Sequence, residues 1–185
     1  MDHLLKGLLG SWIQAIGTVL SAIGSTPLQG VDEEFLNNLN LWGNVLQATG
    51  NALMADAQET ISLEKIGNEI QAIGNTTVIA GMVIEFDEDT KQVLIIKGNF
   101  LQALGGGVSL SDELDGRKTL DEVFGIIGNI LQIIGNSLQA WGGIYELKEE
   151  DGQSLEVNGS WIQAVGAVLS AIGQTKEDSK EISKT

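Results

Sequence analysis

The sequence predicts a mainly α protein: an array of about six glycine-patterned amphipathic helices, arranged as helical hairpins with short β-hairpin connectors. Three observations carry this expectation. A unit of the form GxxLQAxG recurs along the chain, glycine repeats within each copy on a seven-residue beat, and the charges gather between the copies.

The six copies are GSWIQAIG from Gly10, GNVLQATG from Gly43, GNEIQAIG from Gly67, GNFLQALG from Gly98, GNILQIIG from Gly128 and GSWIQAVG from Gly159. Their unit is about 31 residues long, within the range of repeat architectures. The run GSWIQAIGTVLSAIG at 10–24 returns as GSWIQAVGAVLSAIG at 159–173. The first run is therefore read as a structural repeat and not as a signal peptide, and Asp2 stands where a basic n-region would be needed.

The heptad explains the helices. Its rows are Gly10, Gly17 and Gly24; Gly43 and Gly50; Gly67, Gly74 and Gly81; Gly98 and Gly105; Gly128, Gly135 and Gly142; Gly159, Gly166 and Gly173. At about 100° per residue, each anchor glycine shares a face with the Asn or Ser one position later and the Gln four later. Those glutamines are Gln14, Gln47, Gln71, Gln102, Gln132 and Gln163. The Leu and Ile positions fall on the other side, with Trp12, Trp141 and Trp161. A strand would send successive glycines to opposite faces, because seven is odd.

The connectors carry the charge. Across 10–24, 43–54, 67–80, 98–107, 125–145 and 159–173 the only charged side chain is Glu69. VIEFDEDTKQVLII at 83–96 and IYELKEEDGQSLEV at 144–157 alternate around a polar turn and read as β-hairpins. The connectors containing EEFLNNL, QETISLEKI and TLDEVFGII read as loops with helical extensions. Pairing the copies in order gives three helical hairpins. The repeat domain spans 1–175, and 176–185 is a charged tail expected to be flexible.

A glycine inside a helix costs about 0.8–1.0 kcal/mol relative to alanine. Rows of them need a compensating gain, and close backbone approach between helices supplies one. These Gly rows and their Gln partners are accordingly the candidate helix-packing and self-association residues. Neither helix face is charged, so both look covered. Either the apolar sides form a core while the Gly/Gln sides meet other subunits, or the apolar sides face lipid while the polar sides pack or line a path.

Composition narrows the function. The net charge of −15 argues against nucleic-acid binding and against recruitment to anionic lipid surfaces. With no cysteine and a single histidine, His3, the chain offers no thiol chemistry and no acid–base constellation. The acidic run Asp87, Glu88, Asp89 lacks the ligand spacing of a calcium loop. No catalytic, cofactor-binding or metal-binding residue is assigned, and no enzyme is expected. The first reading is a structural or self-assembling protein, its partner being itself as a homo-oligomer or filament joined through the Gly/Gln/Asn faces. The alternative is a membrane-embedded or membrane-active helical-hairpin protein of the pore-forming type. Residues 125–145 form 21 consecutive uncharged positions, just enough to cross a bilayer.

The tandem GNxLQAxG and GSWIQAIG units over 7–175 resemble a family of repetitive proteins of unknown function from spore-forming bacilli. The resemblance implies a bacterial source, and a role at the cell or spore surface would fit such helical repeats; with no signal peptide read, the cytoplasm is the other place expected. It transfers no site residue.

Overall fold

Each copy of the repeat lies within one helix of the computed structural model, which describes residues 3–114 and 120–182. The helices are α1 (His3–Gly24), α2 (Glu33–Ala57), α3 (Leu63–Val83), α4 (Glu88–Glu113), α5 (Leu120–Leu147) and α6 (Gln153–Ile182). Local chemistry sets several of their starts. The Asp32 carboxylate accepts the Phe35 N–H at 3.1 Å, and the Ser62 hydroxyl accepts the Lys65 N–H at 3.0 Å. Both satisfy donors that a helix N-terminus leaves open.

The expected β-hairpin connectors are not there: no strand occurs among the described residues. At 83–96 the reason is a helix cap. Asp87 accepts the Thr90 N–H at 2.9 Å and the Thr90 hydroxyl at 2.8 Å. The polar turn is thus the start of α4, and Val93, Ile95 and Ile96 continue as helix despite their β-branched side chains. At 144–157, α5 runs on to Leu147. A turn with Glu149 at φ 62° follows, and Asp151 accepts the Gln153 N–H at 3.2 Å where α6 begins. The connector is too short for two paired strands. Residues 115–118 of the DELDGRK connector and Thr119, which opens TLDEVFGII, lie outside the described residues, as do Asp2 and 183–185 of the tail. The rest of the tail up to Ile182 continues α6.

The hairpins α1–α2, α3–α4 and α5–α6 pack closely. They are joined by looser contacts of α2 with α3, α4 with α5, and α6 with α1. Among the described residues each helix therefore touches its two neighbours in sequence order, and the last returns to the first: a closed ring of six antiparallel helices. The starts of α1, α3 and α5 share one end with the finishes of α2, α4 and α6.

Polarity is inverted across this ring. The largest fully buried side chains are Gln47, Asn51, Asn75, Asn136, Thr18 and Ser160, and the buried apolar residues are mostly alanines such as Ala15, Ala22, Ala140 and Ala171. Large apolar side chains lie outside: Trp42 is 61% exposed, Ile73 59%, Leu104 56% and Trp141 52%. The Trp12 indole N–H donates to the Thr175 hydroxyl and that of Trp161 to the Thr26 hydroxyl, each at 3.0 Å, tying the α1–α6 seam from outside. Ala15, Ala167 and Ala171 fill that seam from within.

The cap at α4 gives a direct test. The Thr90 backbone N–H, and then its hydroxyl, hold the Asp87 carboxyl below the usual carboxylate range. A depressed value means that this stabilisation is present above the ordinary carboxylate pKa and is lost as pH falls through the lowered one. Asp87→Ala is expected to speed hydrogen exchange at the Thr90 amide at neutral pH, and strong acid to do the same to the unmodified chain. Unchanged exchange would mean that Asp87 does not start this helix.

Candidate functional site

The glycine rows are where each hairpin closes. A Cβ on Gly17 would stand 2.6 Å from the Gly43 carbonyl oxygen, one on Gly105 2.5 Å from that of Gly67, and one on Gly135 2.5 Å from that of Gly159. These are backbone atoms of the facing helix, so no rotamer change could make room. The glycine hydrogen in the Cβ direction points instead at a carbonyl oxygen, the geometry of a Cα–H···O contact. Gly10 meets Gly50, Gly74 meets Gly98, Gly128 meets Gly166, and Gly24 and Gly142 approach the backbones of Asn40 and Gly152 in the same way. Gly173 is buried on α6. The glycines assigned to packing thus face one another within one chain.

This register brings the six repeat glutamines to one level. In each hairpin the two contacting glycine pairs bracket the two glutamines, so Gln14 lies level with Gln47, Gln71 with Gln102, and Gln132 with Gln163. Bonds between helices that are not neighbours in the ring join the hairpins. Gln14 Nε2 donates to Gln132 Oε1 at 2.9 Å, and Gln163 Nε2 donates to Gln47 Oε1 at 2.8 Å and to Gln102 Oε1 at 3.3 Å. Gln139 Nε2 adds a bond to Gln163 Oε1 at 2.9 Å. Hydroxyls complete the rim, with Ser21 accepting from Gln47 at 3.0 Å and Ser170 from Gln132 at 3.3 Å. All six glutamines are buried, Gln71 included.

The layer divides the interior into two polar cavities. At the end where α1 starts, a cavity of about 340 Å³ is lined by all six helices, with Ser11, Gln14, Asn68, Gln71, Ser109 and Ser170 among its walls. Glu64, Glu122, Glu177 and Asp178 also line it. On the other side, a cavity of about 50 Å³ is lined by Ser21, Asn44, Asn99, Gln102, Gln139 and Glu156. Near it Gln92 bridges α4 and α5, donating to Glu146 at 3.3 Å and to the Gly143 carbonyl at 3.4 Å.

Three asparagines flank the glutamine layer, each four residues after a layer glutamine and so on its face of the helix. Asn51 follows Gln47 toward the larger cavity, and Asn75 and Asn136 follow Gln71 and Gln132 toward the smaller one. Their side-chain oxygens are buried with no protein hydrogen-bond partner. Buried amide oxygens of this kind are satisfied by water. These asparagines lie within or beside the polar face read from the heptad, but nothing in the sequence distinguished them from their neighbours. Glu156 was also missed: it stands outside the motif copies, and only the packing of α6 against Gly142 brings it to the cavity.

The chemical capacity of the site is hydrogen bonding. Its walls present amides and hydroxyls, which both donate and accept, and its carboxylates lie toward the two ends.

The glycine contacts predict a contrast. Gly135→Leu would drive a side chain into the α6 backbone and should destabilise the folded chain by about 1–3 kcal/mol or more. A Cβ on Gly107 would meet nothing within 4 Å, so Gly107→Ala should stabilise by about 0.5–1 kcal/mol through helix propensity. Thermal melts followed by circular dichroism in matched detergent would check both. Equal effects would overturn the close-approach account.

No curated protein and no solved structure matches the chain. A family model matches residues 5–171, which is most of the sequence. The chain belongs to the family of unknown function DUF6944.

Proposed function

We propose that this chain is a non-enzymatic membrane protein, a closed ring of helices with its apolar surface in lipid and its amide-lined interior screened from it. The observation that carries this reading is the inverted polarity: Gln and Asn are the largest fully buried side chains, while Trp42, Ile73, Leu104 and Trp141 lie outside. In water that arrangement leaves a broad apolar belt unburied, against the direction of the hydrophobic effect. In a bilayer the same arrangement is favourable, because polar groups must find partners inside and apolar groups need none.

The dimensions agree. α1, at 22 residues, is about 33 Å long, against a hydrocarbon core of about 30 Å. α1, Glu88–Ser111 of α4 and Glu122–Leu147 of α5 are long and apolar enough to cross a membrane. That property alone also suits a self-assembling protein. What favours lipid is the belt together with the placement of charge at its two margins. His3, Lys6, Asp56, Glu59 and Lys65 lie at one end; Glu33, Glu34, Glu88, Asp89 and Glu150 lie at the other. Phe35, Phe86, Trp141 and Tyr145 are exposed near the second end, where an aromatic girdle would meet the headgroups. Glu69 and Lys97 are exposed on the outer surface away from the ends. Their side chains would reach toward the interface.

Self-association, the first expectation from the sequence, would have to use this apolar exterior, since the Gly/Gln faces are taken up within the ring. One experiment separates the two readings. Purified protein is mixed with phosphatidylcholine vesicles, floated on a density gradient, and its tryptophan fluorescence read with brominated lipids. Insertion predicts co-flotation that resists alkaline carbonate, with strong quenching of Trp42 and Trp141. Protein that stays at the bottom of the gradient as detergent-free oligomers, unquenched, would overturn the membrane reading in favour of self-assembly.

A further inference from the structure

We propose that the interior of the ring is a conduit for water and small uncharged polar solutes, closed at the glutamine layer. This rests on the membrane reading, because a conduit has meaning only if the two ends of the ring open on different compartments.

The geometry is that of two cavities parted by one barrier. The cavities of about 340 and 50 Å³ lie on opposite sides of one layer, and each is walled mainly by polar side chains. Between them stand Gln14, Gln47, Gln102, Gln132 and Gln163, hydrogen-bonded across the ring, with Gln71 at the same level. The unpartnered oxygens of Asn51, Asn75 and Asn136 lie one turn from the layer, on both of its sides. They supply acceptors that water must fill on the way to the layer and beyond it.

The chemistry of the layer selects its occupant. Every side chain in it is a neutral amide, able to exchange an amide–amide bond for an amide–water bond at little net cost. An ion would shed its hydration at a level where none of the six side chains carries a countercharge, a much larger penalty. The carboxylates, Glu64, Glu122, Glu177 and Asp178 on the larger cavity and Glu156 on the smaller, lie outside the layer. Opening needs only rotation of the glutamine side chains, since the glycine contacts that fix the helices are separate from the amide bonds.

The test uses the full chain in phosphatidylcholine vesicles, with insertion measured independently by flotation. Stopped-flow light scattering reads water and urea permeability, and entrapped dyes read potassium and chloride flux. The triple variant Gln47→Ala, Gln102→Ala, Gln163→Ala is expected to raise water and urea permeability several-fold over the unmodified chain, without ion flux. Because that variant could misfold, two single substitutions accompany it. The chain has no cysteine, so Ser170→Cys in the larger cavity and Ser25→Cys beside the smaller one give unique thiols. A membrane-impermeant thiol reagent should modify each from one face only, the two faces being opposite. Inserted protein whose cavity cysteines resist the reagent, or whose triple variant floats yet leaves permeability at the level of empty vesicles, overturns the conduit and leaves the membrane reading standing. Ion flux through the triple variant overturns the selectivity for uncharged solutes. Failure of the unmodified chain to insert overturns the membrane reading, and the conduit with it.

Discussion

The approach of one helix backbone to another, glycine against carbonyl oxygen, is the contact on which the rest of this molecule depends. With Gly17 against Gly43, Gly67 against Gly105 and Gly135 against Gly159, the two helix backbones of each hairpin come into direct contact, with side chains such as Ser21 and Ser109 packed beside the contacts. A helical glycine gives up about 0.8–1.0 kcal/mol of propensity, and a Cα–H···O contact returns about 0.5–1 kcal/mol. The two terms are of the same size, so the rows come near to neutral and the closeness is obtained at little expense in stability. Where the rows stop, the packing changes character: between hairpins the seams are filled by side chains, Ala15 with Ala167 and Ala171, or Ile133 beside Gly106.

Close hairpins fix where the polar side chains go. Once the glycines face each other, the glutamine four residues on turns toward the middle of the ring, the Leu or Ile three on packs half-buried beside the facing helix, and the residues two and six on, such as Phe100 and Leu104, lie outside. Six copies then converge six amides on one level. In a low-dielectric interior such a set is favourable when its members satisfy one another and costly when they do not. The cross-ring bonds from Gln14 and Gln163 satisfy most of it, while Asn51, Asn75 and Asn136 leave acceptors open. The interior is therefore a hydrogen-bonding medium, and the apolar side chains are displaced to the outside by the same geometry that gathers the amides.

Much of this was legible in residues alone. The seven-residue beat, the six anchors and the segregation of charge led to six helices paired in order, because periodicity and the odd heptad leave a strand no consistent face. The connectors were misread for a reason of local chemistry. Alternating β-branched residues around EFDEDTK suit a hairpin turn, but the same aspartate that would start the turn also caps a helix, and Asp87 caps α4. Trp12, Trp141 and Trp161 were assigned to the apolar side, and that side was left open between a core and a lipid surface.

The sequence by itself determined the helices, their pairing and the composition of each face, since all three follow from spacing along one chain and from side-chain polarity. Only the tertiary structure decided which face lies inside. A heptad states that glycine and glutamine share a side, but whether that side turns toward its own ring or toward another copy depends on how three hairpins close on one another. The same closure brings Gln14 to Gln132 and Gln47 to Gln163 across more than a hundred residues. It also carries Glu156, outside every motif copy, to the wall of a cavity. Contacts between residues so far apart in sequence leave no trace in local periodicity, because they are set by the path of the chain and not by its pattern.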